Sequence, residues 1–287
     1  MQITTPEVLE LLQNGVHFGH KTSKWHPKMR PFIFTERNGV HILDLEKTKE
    51  QLEKVCEYAA TLAKQGKTIL FVGTKRQAKE LIKKYATSCK MPYIVERWLG
   101  GLFTNFSTVS RLMRTLQTLK KKQEAGELKK YTKKEQLEFQ REIERLEKLV
   151  GGITELKQLP NAIFVVGVRE EKTAIREAQK KRVPIIGIAD SNVDPDTLDW
   201  CIPANDDAIK SIEIIVKTVS DAIQIGQKSR MEAPQDASQT KDIVQEKEKV
   251  NISTEVKDTN TDVKTDVTIT EQQQEQKETE KKTSAEL

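Results

Sequence analysis

Three stretches constrain the fold more than any other feature: TILFVGT at residues 68–74, NAIFVVGV at 161–168 and VPIIGIADS at 183–191. Each is an unbroken apolar run too short for a buried helix, and each is followed by a segment with helical periodicity or by a turn. The helical segments read KRQAKELIKKYATSC, EEKTAIREAQKKR and, near the end, DDAIKSIEIIVKTVSDAIQIG. Strands apolar on both faces belong to a sheet covered on both sides, and alternation with helices makes that sheet parallel. MPYIVERW and a short run around Trp200–Ile202 read as further strands. The expected architecture is an open, doubly wound α/β domain.

Two kinds of segment break this alternation. At the N-terminus, TTPEVLELLQNG carries Thr5 as a cap, Pro6 at the first helical position and Gly15 as a stop. PFIFTERNGVHILDL places Asn38-Gly39 between two apolar runs, which predicts a two-stranded ribbon. Asp44 then opens a helix that ends at Gly66. Residues 107–150 differ in kind. Val109, Leu112, Leu116 and Leu119 make one apolar seam, and Phe139, Ile143, Leu146 and Val150 make another. Ala125-Gly126 offers the reversal and Thr132–Glu135 a capping box, so an antiparallel coiled-coil hairpin is inserted into the α/β domain. Past residue 227 the chain has no aromatic residue and isolated aliphatics, the composition of a disordered tail. The expected divisions are therefore 1–106 and 151–227 for the α/β domain, 107–150 for the hairpin and 228–287 for the tail.

Charge follows these divisions. The tail holds 10 basic and 14 acidic side chains, leaving 38 basic and 29 acidic in residues 1–227. The hairpin carries 12 Lys or Arg against 7 Glu. A basic body of this kind favours a polyanionic partner, because cations that neutralise phosphates release condensed counterions. Cys56, Cys89 and Cys201 are odd in number and far apart, which points to a reducing compartment and no disulfide framework. The first residues lack a basic stretch followed by an apolar one, so no secretory signal is expected, and no run approaches the roughly 18 apolar residues of a membrane span.

Catalytic and cofactor chemistry is poorly represented. FVGTKRQA has one glycine where a dinucleotide fingerprint needs three and lacks the G-K-[ST] ending of a phosphate loop, while Glu170 and Glu171 would repel a pyrophosphate after the next strand. No nucleophile triad is readable. His17 and His20 stand three apart without cysteines nearby to complete a zinc site. Asp190, Asp194, Asp196, Asp206 and Asp207 suit a hard cation such as Mg²⁺, with His17, Asp190 and Asp206 as weak candidate ligands. The preferred reading makes Asp206 the cap of the last helix and Asp194-Pro195 the start of a turn. No cofactor is expected.

Basic segments interleaved with aromatic groups carry more information. Lys21, Lys24, Trp25, His26, Lys28 and Arg30 combine cations with flat rings in a proline-broken stretch, the combination that meets phosphates and unstacked bases. Lys75 and Arg76 follow the first core strand. Arg97 and Asn105 flank Trp98, Gly100 and Gly101, which are assigned structural roles at the base of the hairpin. Along the hairpin lie Arg111, Arg114, Lys120, Lys121, Lys122, Lys129 and Lys130.

In series, GVHFGHKTSKWHPKMRPFIFTERNGVHILDLEKT, ILFVGTKRQA, RWLGGLFTNFSTV, LEKLVGGI and IADSNVDPDTLDWCIPANDDAIKSI resemble the bacterial-type ribosomal protein S-two family of the small subunit, over about residues 3–227. The resemblance implies a Rossmann/flavodoxin-like doubly wound sheet with a protruding coiled coil. It implies a structural role in translation, bound to small-subunit ribosomal RNA at the head–body junction and to neighbouring ribosomal proteins, including ribosomal protein S-one. It implies no catalysis, no membrane and a cytoplasmic ribosome, bacterial or organelle-encoded. The positions carried over are His17, His20, Trp25, Pro27, Lys28, Arg97, Trp98, Gly100, Gly101 and Asn105, and then Asp190, Asn192, Asp194, Pro195, Asp206 and Asp207. VVGVREEK departs from the family in lacking an acidic residue at the strand end, and the tail is longer than in many relatives. The competing expectations are a nucleotide- or sugar-phosphate-dependent enzyme on the same fold, and a coiled-coil adaptor without an RNA role.

Overall fold

The computed structural model describes residues 4–232. Five parallel strands form the central sheet: β4 (Ile69–Val72), β5 (Tyr93–Ile94), β6 (Ala162–Val166), β7 (Ile185–Ala189) and β8 (Trp200–Pro203), in spatial order β5-β4-β6-β7-β8. This is the flavodoxin-like order, which reverses between β4 and β6. Because successive side chains point to opposite faces, the unbroken apolar runs divide into two cores. Ile69, Phe71, Phe164, Val166, Ile186 and Ile188 pack under α2 (Leu45–Lys64), α3 (Lys79–Ser88) and α7 (Ile209–Glu232). Leu70, Val72, Ile163, Val165, Ile185 and Ala189 face α6 (Lys172–Lys181) and the base of the helical arm. α2 and α7 lie side by side, and Gly226 leaves room where any Cβ would strike the Ala60 carbonyl. The MPYIVERW run yields only the two-residue β5, because an edge strand pairs on one side and Glu96 and Arg97 turn out to solvent.

Several local expectations change. The first helix, α1 (Val8–Gln13), starts two residues after Pro6; Thr5 does not cap it but donates to Glu53 Oε1 on α2 at 3.0 Å. The expected two-stranded ribbon has a third strand. β1 (Phe18–Lys21), β2 (Ile33–Arg37) and β3 (Val40–Leu43) pair antiparallel in the order β1-β3-β2, and Asn38 and Gly39 both adopt the positive φ of a tight hairpin turn. β1 left no alternation to read because it is short and its register shifts within four residues. α7 continues through Glu232, past the expected end of the domain, and the rest of the acidic tail lies outside the described residues.

The arm consists of α4 (Phe106–Glu124) and α5 (Lys133–Val150), with the Thr132–Glu135 capping box formed and Gly126 in the left-handed conformation at the reversal. Val109, Met113 and Leu116 meet Ile143, Leu146 and Val150 along the seam. Contacts from Lys120 to Glu147 and from Gln123 to Gln140 fix the antiparallel register.

Candidate nucleic-acid interface

Every sheet strand ends at the same edge, where doubly wound proteins hold their ligands. Two crevices open there. The first lies at the order reversal, between the turn Gly73-Thr74-Lys75 after β4 and the turn at residues 167–171 after β6. Glu171 is 3% exposed and accepts the Thr74 backbone N–H at 3.1 Å as well as its hydroxyl. Burial pushes the Glu171 carboxyl above its ordinary value, against the pull of the Thr74 hydrogen bonds. Lys75 Nζ sits 2.7 Å from Asp206 Oδ1, 3.0 Å from Asp207 Oδ1 and 3.7 Å from Glu170 Oε2. Burial works against the Lys75 charge, but Asp206 and Asp207 hold its pKa above the usual lysine value. A pyrophosphate entering here would meet four carboxylates, so the crevice that a nucleotide-dependent enzyme would use is filled and acidic.

Two sequence expectations are corrected at this point. Lys75, read as facing RNA, is turned inward into this cluster. Asp206 does not cap α7: Asn205 Oδ1 takes the N–H groups of Asp207 and Ala208 at 2.8 and 3.2 Å, leaving Asp206 buried beneath Lys75 with its carboxyl pushed up to about 6 by desolvation. The candidate cation ligands regroup as well. His20, Asp190 and Asp206 present atoms within 4.8 Å of one another, whereas His17 packs against the Phe18 ring at a tilt of 39° and has a buried Nδ1 without a partner. The split follows from local structure: His17 lies in the turn after α1, whereas His20 is on β1. His20 Nδ1 lies 3.0 Å from Asp190 Oδ2 and its Nε2 3.3 Å from Asp207 Oδ2. The first contact is an ion pair whenever the His20 imidazole is protonated. Asp190 raises the His20 pKa, with burial opposing. One imidazole nitrogen and two carboxylates are donors of the kind a divalent ion takes, but Lys75 Nζ, 2.7 Å from Asp206 Oδ1, already neutralises one of them.

The ribbon is fastened over the loop after β7. Buried Ser191 accepts the His20 N–H on Oγ and the His26 N–H on its carbonyl, both at 2.8 Å. Lys28 is engaged by Asp194 at 3.0 Å and Asp196 at 2.7 Å, and Asp194 also caps the turn at Pro195. Trp25 is half-buried against His41, ring centroids 5.2 Å apart. Lys21, Lys24 and Arg30 remain exposed.

The arm leaves the sheet through a carboxylate latch. Glu177 on α6 accepts from the Gly101 N–H at 2.7 Å, the Phe103 N–H at 3.1 Å and Trp98 Nε1 at 3.3 Å. Against the effect of burial, these donors hold Glu177 below the ordinary carboxylate range. Trp98 is buried against Phe103, Gly101 has φ +94°, and Gly100 has open space around it. Asn105 caps α4 by position and accepts from Ser107 Oγ at 3.1 Å. Sequence reasoning missed Glu177, which is one polar residue among many on an amphipathic helix. Arg76, Arg97, Arg111, Arg114, Lys121, Lys122, Lys129 and Lys130 are exposed. Among the described residues none of these has a carboxylate within 4.0 Å; Lys120 does, at Glu147.

The second crevice lies between the loops after β6 and β7, a cavity of about 660 Å³ bounded by Trp25, Ile175 and the cations Lys24, Arg169, Lys172 and Arg176. The last three were also missed. Their signal was present: Lys172 and Arg176, one turn apart on α6, are like charges that share a helix face.

Burial pushes the Cys56 and Cys201 thiols up to about 12, so neither ionises near neutral pH. Among the described residues no helix is long and apolar enough to cross a membrane. Fold and edge together define a Rossmann-like α/β protein that carries a basic helical arm. A family model described as Ribosomal protein S2 matches residues 11–226, and the chain belongs to that family. Membership makes it a protein of the small ribosomal subunit, in a family that is structural and not enzymatic.

Proposed function

We propose that this chain is a structural constituent of the small ribosomal subunit that binds ribosomal RNA through three basic surfaces: the ribbon, the base of the arm and the arm tip. The ribbon contributes Lys21, Lys24, Trp25, His26, Lys28 and Arg30. The base contributes Arg76, Arg97 and Asn105, and the arm contributes Arg111, Arg114 and Lys120 to Lys122 with Lys129 and Lys130. In this reading the α/β domain (1–106 and 151–227) is the platform and the hairpin (107–150) an extended RNA contact, and the chain also binds neighbouring ribosomal proteins, ribosomal protein S-one among them, on a cytoplasmic ribosome. The observation that carries it is the contrast in pairing. Lys75 is largely covered and neutralised internally. Unlike Lys120 and Arg145 on the arm, which pair with Glu147 and Glu142, the cations Arg76, Arg97, Arg111, Arg114, Lys121, Lys122, Lys129 and Lys130 are exposed with no described carboxylate partner. Such cations are free for phosphates, whose contacts lower log K linearly as log salt rises. Titrating the purified chain against small-subunit ribosomal RNA at several salt concentrations tests this. A steep negative slope is expected, and an affinity independent of salt would sink it.

A further inference from the structure

The cavity between the loops after β6 and β7 is not explained by a general affinity for phosphate. Arg169, Lys172 and Arg176 converge on it, and the carboxylate in its wall, Asp194, is already held by Lys28 at 3.0 Å. Lys172 opens the ten-residue α6 directly after Glu170 and Glu171, whose carboxylates face Lys75 and Thr74 in the other crevice, and the charges of Arg169, Lys172 and Arg176 repel one another. The floor has another character. Ile175, Val193 and the Trp25 ring line the same space, apolar surface that an inorganic anion would not require. Two wall residues, His26 and Asn192, also carry buried polar atoms, Nδ1 and Oδ1, that lack a hydrogen-bond partner. A volume of about 660 Å³ falls in the range of sites that enclose a small organic group.

We propose that this cavity is a nucleotide pocket. It takes one aromatic base against Trp25, Ile175 and Val193 and the adjoining phosphates against Arg169, Lys172 and Arg176. Flat bases stack on aromatic rings without regard to sequence, and guanidinium groups grip phosphate oxygens in pairs. The base is supplied by an unstacked nucleotide of ribosomal RNA, and to that extent the inference rests on the function proposed above; a free nucleoside monophosphate has the same chemistry. An acidic peptide would satisfy the charges but leave the stacking surface unused.

The test uses the full chain labelled with 5-fluorotryptophan, the Trp25 resonance being assigned with Trp25→Phe. The chain is titrated with an equimolar mixture of the four nucleoside monophosphates, with a single-stranded heptaribonucleotide and with an acidic heptapeptide. The Trp25 resonance is expected to move saturably with the oligonucleotide while Trp98 and Trp200 stay in place. The double variant Lys172→Glu/Arg176→Glu should weaken that response roughly tenfold or more, as loss of phosphate contacts predicts. Lys180→Glu/Lys181→Glu, at the far end of α6, should not. Arg169→Gln, in the loop before the helix, serves as a second variant should the double one unfold. A response to monophosphates as strong as to the oligonucleotide supports the pocket and makes free nucleotide its source. If the oligonucleotide or ribosomal RNA binds and Trp25 does not respond, the pocket is wrong while the RNA reading survives. If monophosphates move Trp25 and RNA does not bind, the pocket stands and the RNA reading falls. Silence from every ligand, or a Trp25 shift with the acidic peptide alone, overturns the pocket.

Discussion

The two crevices at the carboxyl edge of the sheet share a wall, the loop after β6, and are opposite in chemistry. In the crevice at the order reversal, Lys75 is ringed by Asp206, Asp207 and Glu170 and Glu171 is buried. In the neighbouring one, Arg169, Lys172 and Arg176 surround an open space with no described carboxylate within ion-pair distance. The fold places both clefts; the pairing of side chains decides which of them can receive anything. At the switch point the carboxylates leave no cationic surface for an anionic ligand, and the cationic surface lies one strand further along.

The largest expected effect breaks the sealed crevice. Lys75→Met leaves Asp206 buried without its cation and should cost about 3 kcal/mol in urea denaturation, at the low end for a broken buried pair because Asp206 can take up a proton. A loss below about 0.5 kcal/mol would show those contacts to be surface pairs and dissolve the contrast. Next comes the latch. Glu177→Ala strands the N–H groups of Gly101 and Phe103 and should cost about 1–3 kcal/mol, with hydrogen exchange accelerating at those two amides.

A subtler effect separates His20 from Asp206. The Asp206 pKa is raised to about 6 in the folded chain, so the native state keeps a proton that the unfolded chain sheds near 4. Its contribution to stability therefore falls as pH rises from about 4 to about 6. The His20 pKa is also raised, so its contribution is complete below about 6.5 and fades as pH climbs through the folded value. Against the parent chain, Asp206→Asn should flatten the acid part of the stability profile and His20→Gln the near-neutral part. Identical profiles for parent and variants would remove both groups from the sealed cluster. The smallest effect lies on the arm. Lys121→Gln should leave the denaturation midpoint unchanged and reduce the salt slope of RNA binding by about 1 or less.

What the sequence disclosed follows from where its signals are local. The β4, β6 and β7 runs, the Asn38-Gly39 turn and the Thr132–Glu135 capping box are each decided within a few residues, and each is found where the pattern puts it. The edge of the sheet was less legible because its chemistry is made by residues more than a hundred positions apart. Nothing near Lys75 says that Asp206 will be its partner, and nothing near Arg176 says that Trp25 will face it across a cavity. Asp206 looked like a helix cap because Asp precedes many helices, but Lys75 draws its carboxylate inward and Asn205 takes the N–H groups of Asp207 and Ala208 just before α7. His17 and His20 looked equivalent in one dimension and separate because only His20 is on the strand, His17 lying in the turn before it.

The central claim is that the unpaired cations hold this chain on the small subunit. Sedimentation of a cell lysate through sucrose gradients at low and then high salt tests it most directly. The account predicts co-migration with small subunits at low salt and release to the top of the gradient at high salt. Migration as a free species at both would contradict it.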